Sequence, residues 1–379
     1  MSRLKTTWPV LSSSILRTGA HTPRFHKEPH APTEDAAIAM HYSVATVPLA
    51  VTAGMLYARF AAASVRPGPR RLLALTPVLA LLVALPFSIP LYSARSLAAF
   101  FLVWLGEFKL LLLAFGRGPL DPALRPLPFV FTAALPVKLR QPRSPDAAVT
   151  AEKTTALPLL SSGIKVAVMA SVFGLLSRYS QSMHPYAAFA LFGVVIYCLL
   201  DSLLPCLAMA GKAAMGMEME PQFNKPYLSS SLQDFWGRRW NLMVSAVLRP
   251  AVYDPVRARH GAAAGVLASF LVSGLMHEVV VYYLTFRAPT GHVTAFFALH
   301  GACVCAERWC ARRWGCMARR PPRAVAAPLV VAFVAGTAFW LFFPAIFGGG
   351  MDDRYLGETA ALASSFLHAG ERLLRLVGL

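Results

Sequence analysis

The chain has 379 residues, of which 56% are hydrophobic and only 14% charged, with a mean hydropathy of +0.53. Soluble domains carry roughly 25% charged residues, so this deficit excludes a string of soluble domains and calls for a surface that need not meet water. The formal net charge of +18 would suggest nucleic acid in a soluble chain; with no helix-turn-helix, zinc-finger or RNA-binding motif present, no nucleic acid is expected as a partner, and the basic residues are read as fixing orientation in a membrane.

In chain order, residues 1–40 hold Arg3, Lys5, Arg17, Arg24 and Lys27 with no acid before Glu28. They read as a disordered or leader-like extension, and 41–379 as one membrane domain. Crossing a bilayer takes about 20 apolar residues at 1.5 Å per residue. On that template spans fall near 42–63, 72–92, 96–115, 157–177, 185–207, 261–286, 293–309 and 326–347. The loops at 58–71, 116–156, 208–259 and 308–325 hold 4, 6, 7 and 6 Lys plus Arg, whereas those near 91–96, 178–184 and 287–292 hold one each. That strict alternation assigns the basic loops to the cytosol. The expected fold is all-α, a polytopic bundle of about eight transmembrane helices.

The loop at 208–259 is the least loop-like. Ser230 followed three residues later by Gln233 can cap a helix, and Trp236 and Trp240 stand one turn apart. The pattern predicts a short amphipathic helix at the cytosolic interface, its tryptophans at headgroup depth and Asn241 at its end. The adjacent guanidiniums of Arg238 and Arg239 suit the phosphate oxygens of an anionic cofactor, or equally anionic lipid headgroups. Six cysteines without a CxxC pair lie mostly in or beside apolar runs, where they pack as small hydrophobes.

Within the expected spans lie Glu107, Lys109, Lys165, Asp201, His277, Glu278 and His300. An ionised side chain at mid-bilayer costs at least about 2.5–3.5 kcal/mol, so such residues face protein or cavity; seven of them predict an interior polar chamber. His277, in Leu275-Met276-His277-Glu278, lies 16 residues into its span, about 24 Å deep. It reads two ways: a general base, or a core histidine bonded to a neighbouring helix. Glu278 points roughly 100° away on the helix, so it is expected to pair with another helix, and Asp201 with Lys165. A proton-coupled or lipid transporter uses similar parts but usually shows repeated halves, and none is evident.

The segment Pro221-Gln222-Phe223-Asn224-Lys225-Pro226-Tyr227 through Asn241, with the Leu-Met-His-Glu element ending about 36 residues later, resembles the signature of the plant wax synthase branch of the membrane-bound O-acyltransferases. Phe108-Lys109-Leu110-Leu111-Leu112 and Phe115-Gly116-Arg117-Gly118-Pro119-Leu120 resemble a further stretch of that branch. The resemblance implies an enzyme of the endoplasmic reticulum membrane that moves a fatty acyl group from acyl-CoA, its co-substrate, to a long-chain alcohol or a sterol, with no permanently bound cofactor or metal. It matches His277 and Asn241 to the family's catalytic histidine and motif asparagine. It would place the CoA head group near Lys225, Arg238 and Arg239, with Trp236 and Trp240 on the substrate side. The alcohol would come laterally from membrane lipid.

Overall fold

The computed structural model describes residues 34–139, 156–180, 182–216, 218–314, 321–361 and 364. Most of the expected extension, residues 1–33, lies outside the described residues. Glu34–Met40 already form the start of the first helix.

Among the described residues the fold is helical, with one isolated bridge between Leu139 and Met219. Helix α1 spans Glu34–Ser64, α2 Pro69–Ala84, α3 Tyr92–Ala114 and α4 Pro126–Ala134. Then come α5 at Ala156–Tyr179, α6 at Pro185–Met215 and α7, the short turn Leu232–Asp234 with its π-helical continuation Phe235–Arg239. Helices α8 at Leu242–Thr285, α9 at His292–Trp314 and α10 at Arg323–Phe347 complete the bundle. Proline opens α2, α4 and α6, where its missing N–H breaks no bond and its fixed φ favours the helix.

Six of these helices (α1, α2, α3, α6, α8 and α10) are long and apolar enough to cross a membrane, so the chain is an integral multi-pass protein. The other two expected spans coincide with helices α5 and α9, of 24 and 23 residues and about 36 and 35 Å long, which are not among those six. Helix α9 carries Glu307, Arg308, Arg312 and Arg313 toward its end, which shortens its apolar stretch. The span expected from residue 261 is the second limb of a longer helix. Gly261, at φ 85° and ψ 171°, breaks α8 there, in a conformation that glycine adopts without a Cβ penalty.

Two apolar cores flank α8. Met55, Leu75, Leu82, Leu110, Leu113 and Phe129 pack α1 to α4 together, while Leu176, Phe192, Phe296, Phe297, Leu341 and Phe343 join α5, α6, α9 and α10. Trp104 of α3 meets Met243 and Val247 of α8 between them. Helices α8 and α9 approach closely at two glycines: a Cβ on Gly274 would lie 2.8 Å from the Thr294 Cα, and one on Gly301 would lie 2.9 Å from the Phe270 Cβ. Small residues commonly permit such contact between helices in membranes.

The seven ionisable residues of the spans do not converge on one chamber. Helix ends leave backbone N–H and C=O groups unpaired, and hydrocarbon offers no water to satisfy them. Charged side chains do this here. Glu278 accepts from the Val293 and Thr294 N–H groups at the start of α9, at 3.0 and 3.2 Å. Glu358 does the same for Tyr92 and Ser93 at the start of α3, and Glu307 for Leu232 and Gln233 at the start of α7. Cations take the opposite ends, where the macrodipole is negative. Lys109, fully buried, donates to the Thr132 and Leu135 carbonyls that close α4, and Arg95 to Tyr283 and Leu284 in the last turn of α8. Lys165 and Asp201 form the expected pair at 2.7 Å, joined by the Tyr197 hydroxyl.

Glu278→Ala is therefore expected to cost about 1–3 kcal/mol by leaving the buried Val293 N–H and the partly buried Thr294 N–H without this acceptor. Glu278→Gln, which keeps an accepting oxygen, should lose less. Thermal unfolding in detergent checks the order: wild type above Gln above Ala.

Candidate active site

The second limb of α8 places His277 between Trp104 of α3 and Phe297 of α9. Its Nδ1 lies 2.7 Å from the Ser273 carbonyl one turn earlier. A carbonyl only accepts, so Nδ1 carries the proton and Nε2 keeps its lone pair, the tautomer a general base requires. Phe297 stacks on the imidazole at 4.3 Å between centroids and 25° between planes. Trp104 meets it edge-on at 4.6 Å, and Phe342 at 5.8 Å and 70°. Despite these rings His277 keeps some accessible surface, so the box is not sealed.

The segment expected at the cytosolic interface differs from its expected form. Ser231, not Ser230, caps α7, its hydroxyl accepting from the Asp234 N–H at 3.0 Å. Asp234 reaches back to the Ser230 N–H at 3.2 Å, which makes it, and not Gln233, the reciprocal partner. The helix ends at Arg239, because Trp240 is extended at φ −98° and ψ 126°. Both tryptophans are half-buried and pack against protein. Trp240 stacks on Phe235 at 5.4 Å, and Trp236 donates from Nε1 to His300 Nδ1 at 3.0 Å. Aromatic neighbours and a buried acceptor outweigh the interfacial preference of an indole.

Asn241 opens α8 rather than ending α7. It sits at φ 40° and ψ 67°, and its side-chain oxygen accepts from the Val244 N–H at 3.3 Å. Asparagine tolerates this left-handed position and serves well as a cap, while its amide N–H₂ stays uncommitted to that bond. Arg239 is held within the motif: it pairs with Asp234 at 2.8 Å and donates to the Asn224 and Lys225 carbonyls. Burial pushes the Asp234 carboxyl up, but hydrogen bonds from Arg239 and the Ser230 N–H outweigh it and hold the group below the ordinary carboxylate range. The two halves of the motif are thereby clamped together. Lys225 and Arg238 are exposed.

Beside these elements opens a cavity of about 370 Å³, within the size range of pockets that bury a ligand. Arg249, Arg257 and Arg308 line it, as do Trp236, Gly237 and Val244, and it extends to Ser273 and Phe297, the two residues that hold His277. Among the residues expected from sequence, Trp236 lines it directly. Asn241 lies three residues before Val244, and His277 stands behind Ser273 and Phe297. Lys225, Arg238, Arg239 and Trp240 are not among its lining residues.

Apart from His300, most of what assembles this site carries no motif in the sequence. Helix α9 supplies Phe297 against His277, His300 against Trp236, Glu307 at the start of α7 and Arg308 in the cavity wall. The π-helical stretches Ala99–Gly106, Phe235–Arg239, Arg249–Tyr253 and Ala338–Phe342 each contribute as well. They bring Trp104, Trp236, Arg249 and Phe342 to the cavity or the rings. A π turn inserts an extra residue and re-aims side chains, and such turns gather at functional sites. The closely spaced bulky aromatics give no local signal of it.

Comparison with known proteins finds similarity to one family of acyltransferases. Residues 219–299, from the motif around Lys225 through His277 to Leu299, match the family described as the membrane bound O-acyl transferase family. A probable long-chain-alcohol O-fatty-acyltransferase of Arabidopsis thaliana is 38% identical over 80% of this chain and 90% of its own length. The long-chain-alcohol O-fatty-acyltransferase of Simmondsia chinensis is 36% identical over 87% and 96%. An acyl-CoA–sterol O-acyltransferase of Arabidopsis thaliana is 35% identical over 85% and 96%.

Proposed function

That the chain belongs to the membrane-bound O-acyltransferase family is the premise from which we propose its reaction: transfer of a fatty acyl group from acyl-CoA to a long-chain alcohol, giving a wax ester and free CoA. The chain is an O-acyltransferase of a multi-pass membrane type; the substrates and the residue roles are the proposal. One observation carries it. A single cavity runs from three arginines to the two residues that hold His277.

In this reading the phosphates of CoA meet Arg249, Arg257 and Arg308 of the cavity wall, whose forks match phosphate geometry. The acyl tail follows the apolar wall past Trp236 toward Phe297. The alcohol arrives from the lipid. His277 Nε2 takes the hydroxyl proton as oxygen attacks the thioester carbonyl carbon; the C–O bond forms, the C–S bond breaks, and the thiolate recovers the proton from the imidazolium. The unused N–H₂ of Asn241 suits the charge that develops on the carbonyl oxygen. The rings of Trp104, Phe297 and Phe342 around the imidazole restrict the approach of water, a competing nucleophile, to the base.

The relative named for sterol acylation supports a second acceptor, since a sterol also presents one hydroxyl on an apolar body. Ester-free yeast expressing the chain decides between them. Its membranes, given labelled acyl-CoA with a fatty alcohol or a sterol and analysed by mass, are expected to yield wax ester above sterol ester; sterol ester alone would move the assignment to the second acceptor. The endoplasmic reticulum membrane, carried over from the family resemblance, is the proposed location, tested by imaging a fluorescent fusion against an organelle marker.

A further inference from the structure

His300 is fully buried in α9, yet both ring nitrogens are partnered. Trp236 Nε1 lies 3.0 Å from Nδ1, and Thr337 Oγ1 lies 2.9 Å from Nε2. The Thr337 hydroxyl is in turn 2.8 Å from the Phe333 carbonyl. An indole only donates and a carbonyl only accepts, so the proton order follows. Trp236 donates to Nδ1, Nε2–H donates to Thr337, and Thr337 donates to Phe333. The chain links α7, α9 and α10 and ends on one side chain.

That side chain is a cavity wall. The Trp236 ring stands 5.7 Å from Phe270, at 84°, and 5.6 Å from Phe297, which stacks on His277. Packing alone would accept several settings of a broad flat ring among aromatics. A directed hydrogen bond from a fixed acceptor selects one of them.

We propose that His300 is a positioning residue that locks the Trp236 indole as a wall of the acyl chamber, and thereby sets which acyl chains reach His277. The inference rests on the acyltransferase reading above. His300 touches no reacting atom in it; its effect passes through Trp236 and Phe297.

The test uses full-length enzyme in membranes, a series of saturated acyl-CoAs of increasing length and one fixed alcohol. His300→Leu is expected to lower kcat about ten-fold and shift the preferred chain length, with KM for the alcohol unchanged. His300→Gln, whose amide can accept from Trp236 and donate to Thr337, should restore most of both. Trp236→Phe should reproduce the Leu profile, and the double variant should be no worse than either single, as for two members of one chain. If His300→Leu does not fold, Trp236→Phe and Thr337→Val carry the same comparison.

A wild-type length profile and kcat in the variants that fold, with only Tm or yield reduced, overturns the proposal. So do additive effects of His300→Leu and Trp236→Phe. Failure of the wild type to form any ester would instead overturn the acyltransferase reading.

Discussion

His277→Ala is expected to abolish ester formation while acyl-CoA binding survives. The Ser273 carbonyl holds the Nδ1 proton, so Nε2 is the ring's available base, and removing a positioned base costs about 10²–10⁴-fold in rate. The arginines that face the CoA head group in the proposed mode lie in other parts of the cavity wall, so the affinity for acyl-CoA should change little. Single-turnover ester formation and acyl-CoA binding, measured on the same detergent-purified sample, separate the two effects. Retained turnover in a folded variant would leave His277 as a core histidine. Asn241→Ala is a poorer test, since Asn241 also caps α8 and its loss would cost about 1 kcal/mol of stability by itself.

The helices were legible because their physics is local. An apolar run of some 20 residues has few alternatives in a bilayer, and each of the eight expected spans lies on or largely overlaps a described helix. The exceptions are instructive. The boundary at residue 261 is a glycine kink inside α8, since a charged segment such as 254–260 reads as loop although its backbone stays helical. Trp236 and Trp240 have interfacial spacing, but their distant partners, His300 at 3.0 Å and Tyr197 at 6.4 Å, are set by tertiary packing. Of the ionisable residues in the spans Lys109, Glu278 and His300 are buried, yet Lys109 and Glu278 serve the ends of other helices, and no spacing along the sequence says which.

The catalytic candidates were legible for a different reason. His277 and Asn241 sit in motifs whose order and separation are visible in the sequence. The walls were not. Arg249, Arg257 and Arg308 fall in loops already explained by positive-inside orientation, and only the π turn at Arg249–Tyr253 and the crossing of α9 bring them to one cavity.

Those arginines supply the second large effect. Substituting Arg249, Arg257 and Arg308 together with Ala is expected to raise KM for acyl-CoA while kcat at saturating donor and KM for the alcohol hold. A hydrogen bond to a charged group contributes about 1.5–3 kcal/mol, so a single substitution should raise KM about 10–100-fold, and Arg249 and Arg257, both exposed, fall at the lower end through solvent screening. Arg308 is partly buried and follows Glu307, which fixes the start of α7. Its loss should therefore exceed that of either exposed arginine. Salt provides the internal control: the wild-type KM for acyl-CoA should rise with ionic strength, and the triple variant should lose most of that dependence. If Lys225→Ala and Arg238→Ala instead carried the KM effect and the cavity arginines did not, CoA would dock across the outer face of α7, and the cavity would hold the acyl chain alone.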